Sequence, residues 1–125
     1  MDGKRPVNLN LLSMRFPVTA IMSIGHRITG VVLFLMLPML LWMLSAVLSG
    51  DTAYAALQHC LASPTMRVVS WIFLVCVGYH VLAGVRHLLM DAHVLPHSFC
   101  VGKVTAWLIL LLSVVWAVFV GVWLW

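Results

Sequence analysis

Charge is scarce in this chain. Lys, Arg, Asp and Glu make up only 8% of its 125 residues, while 64% are hydrophobic. That balance lies far outside the range of water-soluble domains, so a soluble globular fold is excluded. Paired cysteines are also lacking: Cys60, Cys76 and Cys100 are scattered and form no C-x-x-C unit, which excludes a thiolate metal site of the usual spacing. Cys76 reads most simply as a small buried packing residue. There is no internal repeat and no low-complexity tract. No clean apolar run follows Lys4 and Arg5; the stretch is broken by Asn8, Asn10 and Arg15 and has no small-residue cleavage site, so a cleavable signal is not expected and the chain should stay intact.

What is present is apolar length. Residues 28–50, 68–85 and 104–125 contain no Asp, Glu, Lys or Arg, and a helix needs about 20 apolar residues to cross a hydrocarbon core. The fold class that follows is an all-α membrane protein with three transmembrane helices. The second run is the shortest, and it is expected to span by letting Arg86 reach toward the headgroups. Lys4, Arg5, Arg15 and Arg27 precede the first span, Arg86 and Lys103 flank the second connection, and only Arg67 borders the first connection. The excess of cations places the N-terminus and the second connection in the cytoplasm and the C-terminus in the periplasm. A net charge of +4 would elsewhere suggest nucleic acid. Here the basic residues sit beside membrane segments, where anionic headgroups account for them, so the bilayer is the expected partner and nucleic acid is not.

The chain reads as one membrane-anchor domain, 1–125, with an interfacial arm over 1–17 and helices at about 18–49, 65–92 and 103–125. Pro6 and Pro17 bracket the arm, and Pro17 suits a helix start, where its missing N–H is no loss. Pro38 is expected to bend the first helix. Residues 51–65 form a non-cytoplasmic connection with short helical character around 53–61, in which His59 is read as solvated. Residues 93–103 form the cytoplasmic connection; His93 and His97 within it receive no role. The third helix carries no polar group stronger than Ser113, and Trp107, Trp116, Trp123 and Trp125 mark it as a packing and anchoring helix.

Ionisable residues close the second span: His80, Gly84, His87 and Asp91 fall within about 60° of one another on a helix. His80 lies about 16 Å of helix inside Asp91, within the apolar layer. An imidazole at that depth can be interhelical hydrogen-bond glue, a proton-relay member or an axial haem ligand. Gly84, one turn along, leaves room for a flat macrocycle, although glycine also serves plain packing. His80 and His87 project from one face about 10 Å apart, so they cannot ligate both sides of one ring. A second ligand would come from another polypeptide, and without C-x-x-C-H the haem would be non-covalent b-type.

A second constellation opens the first helix. Ser23, Arg27 and Gly30 share a face, with His26 turned about 100° away. Arg27 either snorkels to phosphate or, with the Ser23 hydroxyl, donates hydrogen bonds to a quinone carbonyl and stabilises the negative charge that builds there on reduction. His26 or Arg27 could also neutralise haem propionates. His87 and Asp91 are either a solvated helix end or a route for proton delivery to a reduced quinone, for which imidazole is suited.

Arg5-Pro6-Val7-Asn8-Leu9, Arg15-Phe16-Pro17, Ser23-Ile24-Gly25-His26-Arg27-Ile28-Thr29-Gly30 and the run from His80 through Gly84-Val85-Arg86-His87 to Asp91 resemble the cytochrome b556 membrane-anchor family of bacterial succinate dehydrogenases. The resemblance covers essentially the whole chain, is closest to the ubiquinone-linked type, and is least constrained after Gly50. It implies that His80 is one axial ligand of haem b, with a histidine of a second, small anchor subunit opposite. It also implies that Ser23 and Arg27 help line the ubiquinone site, with His26 and Arg27 near the propionates. Iron–sulfur and flavoprotein subunits would complete the complex, at the bacterial inner membrane. The alternatives are the anchor of a fumarate reductase and a non-redox membrane scaffold in which His80 is only glue.

Overall fold

The computed structural model describes residues 16–96 and 98–125; the arm motif over 5–9, Arg15 and His97 lie outside them. The described residues form four helices and no strand: α1 (Val18–Leu48), α2 (Asp51–Leu61), α3 (Pro64–Asp91) and α4 (Phe99–Leu124). Three of them, α1, α3 and α4, are long and apolar enough to cross a membrane. At 31, 28 and 26 residues they exceed the roughly 20 needed, so each must tilt or extend past the hydrocarbon. The chain is a multi-pass membrane protein.

Local chemistry sets the ends. Pro17 stands at the N-cap of α1, its carbonyl accepting from the amides of Ala20 and Ile21 at 2.9 and 3.2 Å. Pro38 sits inside α1 without interrupting it. Gly50 turns the chain from α1 into α2 at φ 108°, a backbone region that side chains disfavour. Ser63 caps α3 by accepting from the Met66 amide at 3.4 Å, with Pro64 in the first turn. At the other end of α3, His93 takes φ 58° while its amide donates to the Met90 carbonyl and that of Val94 to the Leu89 carbonyl, both at 3.0 Å. This is the Schellman pattern, with histidine where glycine is usual. Ser98 caps α4 through the Val101 amide at 3.3 Å, so α4 starts at Phe99, ahead of the uncharged run.

Small residues let the long helices approach. Met22 of α1, Ala83 of α3, and Ala106 and Ile109 of α4 form the core, with Val18, Tyr79 and Leu82 packed around it. Two tryptophans lock α3 to α4 in opposite directions. The Trp71 indole donates to the Ala117 carbonyl at 2.9 Å and lies over Gly121, and the Trp116 indole donates to the Leu74 carbonyl at 2.8 Å and lies over Gly78. Trp116 is therefore a packing residue of the helix pair, whereas Trp107, Trp123 and Trp125 are exposed. Large apolar side chains cover the outer faces, among them Phe34, Leu35, Leu111 and Val122, surface suited to lipid or to neighbouring subunits.

Candidate functional site: a histidine cluster between α1 and α3

Near the start of α1 and the end of α3, three imidazoles meet. The His26 ring stacks on His80 with centroids 4.2 Å apart and planes 28° from parallel, and His87 lies beyond His26 at 5.3 Å. One turn of helix separates Met22, His26 and Gly30, so the stripe of α1 that faces α3 carries His26 inward. The approach depends on glycine. A Cβ on Gly30 would stand 3.1 Å from His80 Cε1, and one on Gly25 would collide with the Tyr79 hydroxyl at 2.6 Å. Over Gly84 lies the His26 ring, whose Nε2 would be 3.4 Å from an added Cβ. Tyr79, next to His80, donates to the Met22 carbonyl at 2.8 Å and pins α3 to α1.

His80 Nδ1 lies 3.2 Å from the His26 carbonyl and 3.3 Å from Thr29 Oγ1. The carbonyl can only accept, so Nδ1 carries the proton. In the neutral ring Nε2 is then the nitrogen with the lone pair, and no hydrogen bond among the described residues engages it. The residues fit a haem approached from this side: a neutral imidazole held through one nitrogen and open at the other is the form an iron ligand takes. The rings of His26 and His80 stack rather than converge on a common point. Among the described residues no group of three or more His, Cys, Asp or Glu is arranged to hold a metal ion.

The constellation near the start of α1 divides. Gly30 belongs with His80, Ser23 is half-buried, and Arg27 is exposed. Neither the Ser23 hydroxyl nor the Arg27 guanidinium is hydrogen-bonded among the described residues, so both have donors available. His87 and Asp91 are not joined by a hydrogen bond; both line a cleft of about 560 Å³ with Thr19, Arg86, Ser98 and Gly102.

Arg86 overturns the expectation that it reaches to the headgroups. It is only 5% exposed, and its Nε donates to Thr105 Oγ1 at 2.9 Å and its Nη2 to the Gly102 carbonyl at 3.1 Å. The early start of α4 places those acceptors beside it. Sequence reasoning missed Thr105, as it missed Thr29 and Tyr79. Thr29 was visible in the motif as the residue three after His26, but nothing in one strand of sequence shows which residue on another helix a hydroxyl meets.

Comparison with known proteins supplies the remaining finding. Residues 1–121 match the family model described as succinate dehydrogenase/fumarate reductase transmembrane subunit. The chain is 40% identical over 126 aligned residues, covering 100% of both chains, to the succinate dehydrogenase cytochrome b556 subunit of Coxiella burnetii. It is 36% identical to the cytochrome b556 subunit of Paracoccus denitrificans, over 72% of this chain and 69% of that one. Identity to the cytochrome b560 subunit of Reclinomonas americana is 34%, over 74% and 67%.

Proposed function

The chain belongs to the succinate dehydrogenase/fumarate reductase transmembrane subunit family, and on that premise we propose that it is the membrane-anchor cytochrome b subunit of a succinate:ubiquinone oxidoreductase in the bacterial inner membrane. It supplies one axial ligand of a non-covalent haem b and part of the ubiquinone site, with its N-terminus cytoplasmic and its C-terminus periplasmic. The names of the matched relatives, all succinate dehydrogenase subunits, favour this over a fumarate reductase.

The observation that carries the reading is His80, with Nδ1 turned to acceptors on α1 and Nε2 left open. His80 would hold such a haem from this chain, and a second, small anchor subunit would supply the other ligand. Bound there, haem b would supply a one-electron store beside the quinone. His26 and Arg27, toward the cytoplasmic end of α1, offer the propionates an imidazole and a cation. The Ser23 hydroxyl and Arg27 hold a ubiquinone carbonyl by hydrogen bonds, and the guanidinium offsets the negative charge that builds on that oxygen during reduction. His87 and Asp91, in their cleft, pass protons from the cytoplasm toward the reduced quinone. Electrons reach the site from an iron–sulfur subunit, itself fed by a flavoprotein that oxidises succinate.

A scaffold role draws on the same histidine, since Nδ1 does bridge α3 to α1. The reduced-minus-oxidised spectrum of membranes expressing this chain with its neighbouring subunits separates the two, comparing native protein with His80→Leu. A b-type band that disappears or shifts on substitution is the expected result. No band, or one untouched by the substitution, returns His80 to packing.

A further inference from the structure

We infer that Thr29 is a positioning residue for the haem ligand: its hydroxyl oxygen, with the His26 carbonyl, holds the Nδ1 proton of His80 and so fixes the imidazole with Nε2 as the coordinating nitrogen. The inference rests on the reading of His80 as that ligand. It follows from where the hydroxyl proton goes. Thr29 Oγ1 lies 3.0 Å from the carbonyls of both Gly25 and His26, neither of which can donate. The hydroxyl proton is therefore committed to its own helix, and the oxygen presents only lone pairs to His80 Nδ1 at 3.3 Å. Nδ1 thus faces two acceptors and no donor, the His26 carbonyl at 3.2 Å being the other.

A threonine that bonds back to its own helix is common and needs no further purpose. What sets Thr29 apart is the third contact, across to α3, eased by the missing side chain of Gly30, where a Cβ would stand 3.1 Å from His80 Cε1. Four devices on one turn of α1 then converge on one imidazole: the Thr29 hydroxyl, the His26 carbonyl, the bare Gly30 backbone and the stacked His26 ring. Together they set its tautomer, its tilt and its distance from α1. A ligand whose remote N–H is held by acceptors is a stronger electron donor to iron, which favours the ferric state and lowers the reduction potential. Weakening that hold raises the potential without removing the ligand, since the His26 carbonyl remains.

The test uses the assembled, purified complex carrying Thr29→Val, which keeps the shape and removes the hydroxyl, and Thr29→Ser, which restores it. Haem content, the midpoint potential of the haem and the low-temperature EPR spectrum of the oxidised form are read for each, beside His80→Leu. The expected result is a full complement of haem in the valine variant with a raised potential and displaced EPR signal, both returned to native by serine. Native potential and EPR in the valine variant overturn the inference, as does a serine variant displaced as far as valine. If valine costs the haem altogether, Thr29→Ala is added: loss in both with retention in serine supports the hydroxyl, and loss in all three assigns the position to packing. A spectrum indifferent to His80→Leu removes the ligand reading itself; a spectrum that depends on His80 while Thr29→Val is silent removes only the role of Thr29.

Discussion

Arg27 and Ser23 sit one turn apart on α1 and make none of the side-chain hydrogen bonds or ring contacts to α3 that engage His26 and Thr29. Truncating them should therefore disturb the quinone and spare the fold. Arg27→Ala is expected to lower kcat/KM for ubiquinone by about tenfold or more, equivalent to at least about 1.4 kcal/mol of lost transition-state stabilisation. Succinate oxidation by an artificial dye, which bypasses the quinone, should stay near native. Ser23→Ala removes one neutral hydrogen bond and is expected to raise the quinone KM a few-fold with little change in the haem spectrum. Both are read from steady-state kinetics with each acceptor. Unchanged quinone kinetics would take the corresponding residue out of the site.

Helix pairing poses a different question, because α3 joins α4 through groups that sequence pattern does not advertise. Trp71 and Trp116 cross-link the half of the pair nearer the start of α3 and the end of α4, and Arg86 clamps the other end onto Gly102 and Thr105. A guanidinium forks to two acceptors at once from a planar, fixed geometry; an ammonium on a flexible stem does not reproduce that reach. Arg86→Lys is accordingly expected to destabilise the assembled complex, by about 1–3 kcal/mol for the loss of hydrogen bonds from a charged donor. The measurement is the temperature at which the detergent-solubilised complex releases haem and aggregates. An unshifted midpoint would mean that the clamp is dispensable and that α4 is held by its apolar contacts and the tryptophans alone.

The assembled bundle leaves much of its apolar surface uncovered, with Phe34 70% exposed and Val122 77% exposed. Lipid and partner subunits must cover it, since side chains of this kind facing water would aggregate. The proposed topology puts the two ends on opposite sides of the bilayer, with the cation-rich N-terminus in the cytoplasm. Alkaline phosphatase fused after Trp125 is expected to be active in intact cells, while the same reporter placed in the connection between α3 and α4 is expected to be silent. The reverse pattern would invert the molecule and move the Ser23–Arg27 and His87–Asp91 groups to the periplasmic side, away from cytoplasmic electron donors.

Runs of uncharged apolar residues made the three spans readable in one dimension, because a helix buried in hydrocarbon must satisfy its backbone internally and present apolar side chains all round. Turn chemistry was readable for the same local reason at Pro17, Gly50 and Ser63-Pro64. His80 stood out because an imidazole deep in an apolar run is costly without a partner. Its partners were another matter. The contact of Thr29 with His80 spans 51 positions and that of Arg86 with Thr105 spans 19, and neither leaves a trace in periodicity. Arg86 was expected at the headgroups because its charge sits near the end of a span; in the fold it is buried because α4 begins at Phe99 and brings two acceptors within reach. His26 sits about 100° around α1 from Arg27, and the packing of α3 makes that difference consequential by turning His26 toward His80 and leaving Arg27 facing outward. Membrane insertion answers to the composition of each segment, whereas the assignment of donors to acceptors answers to how helices distant in sequence pack together.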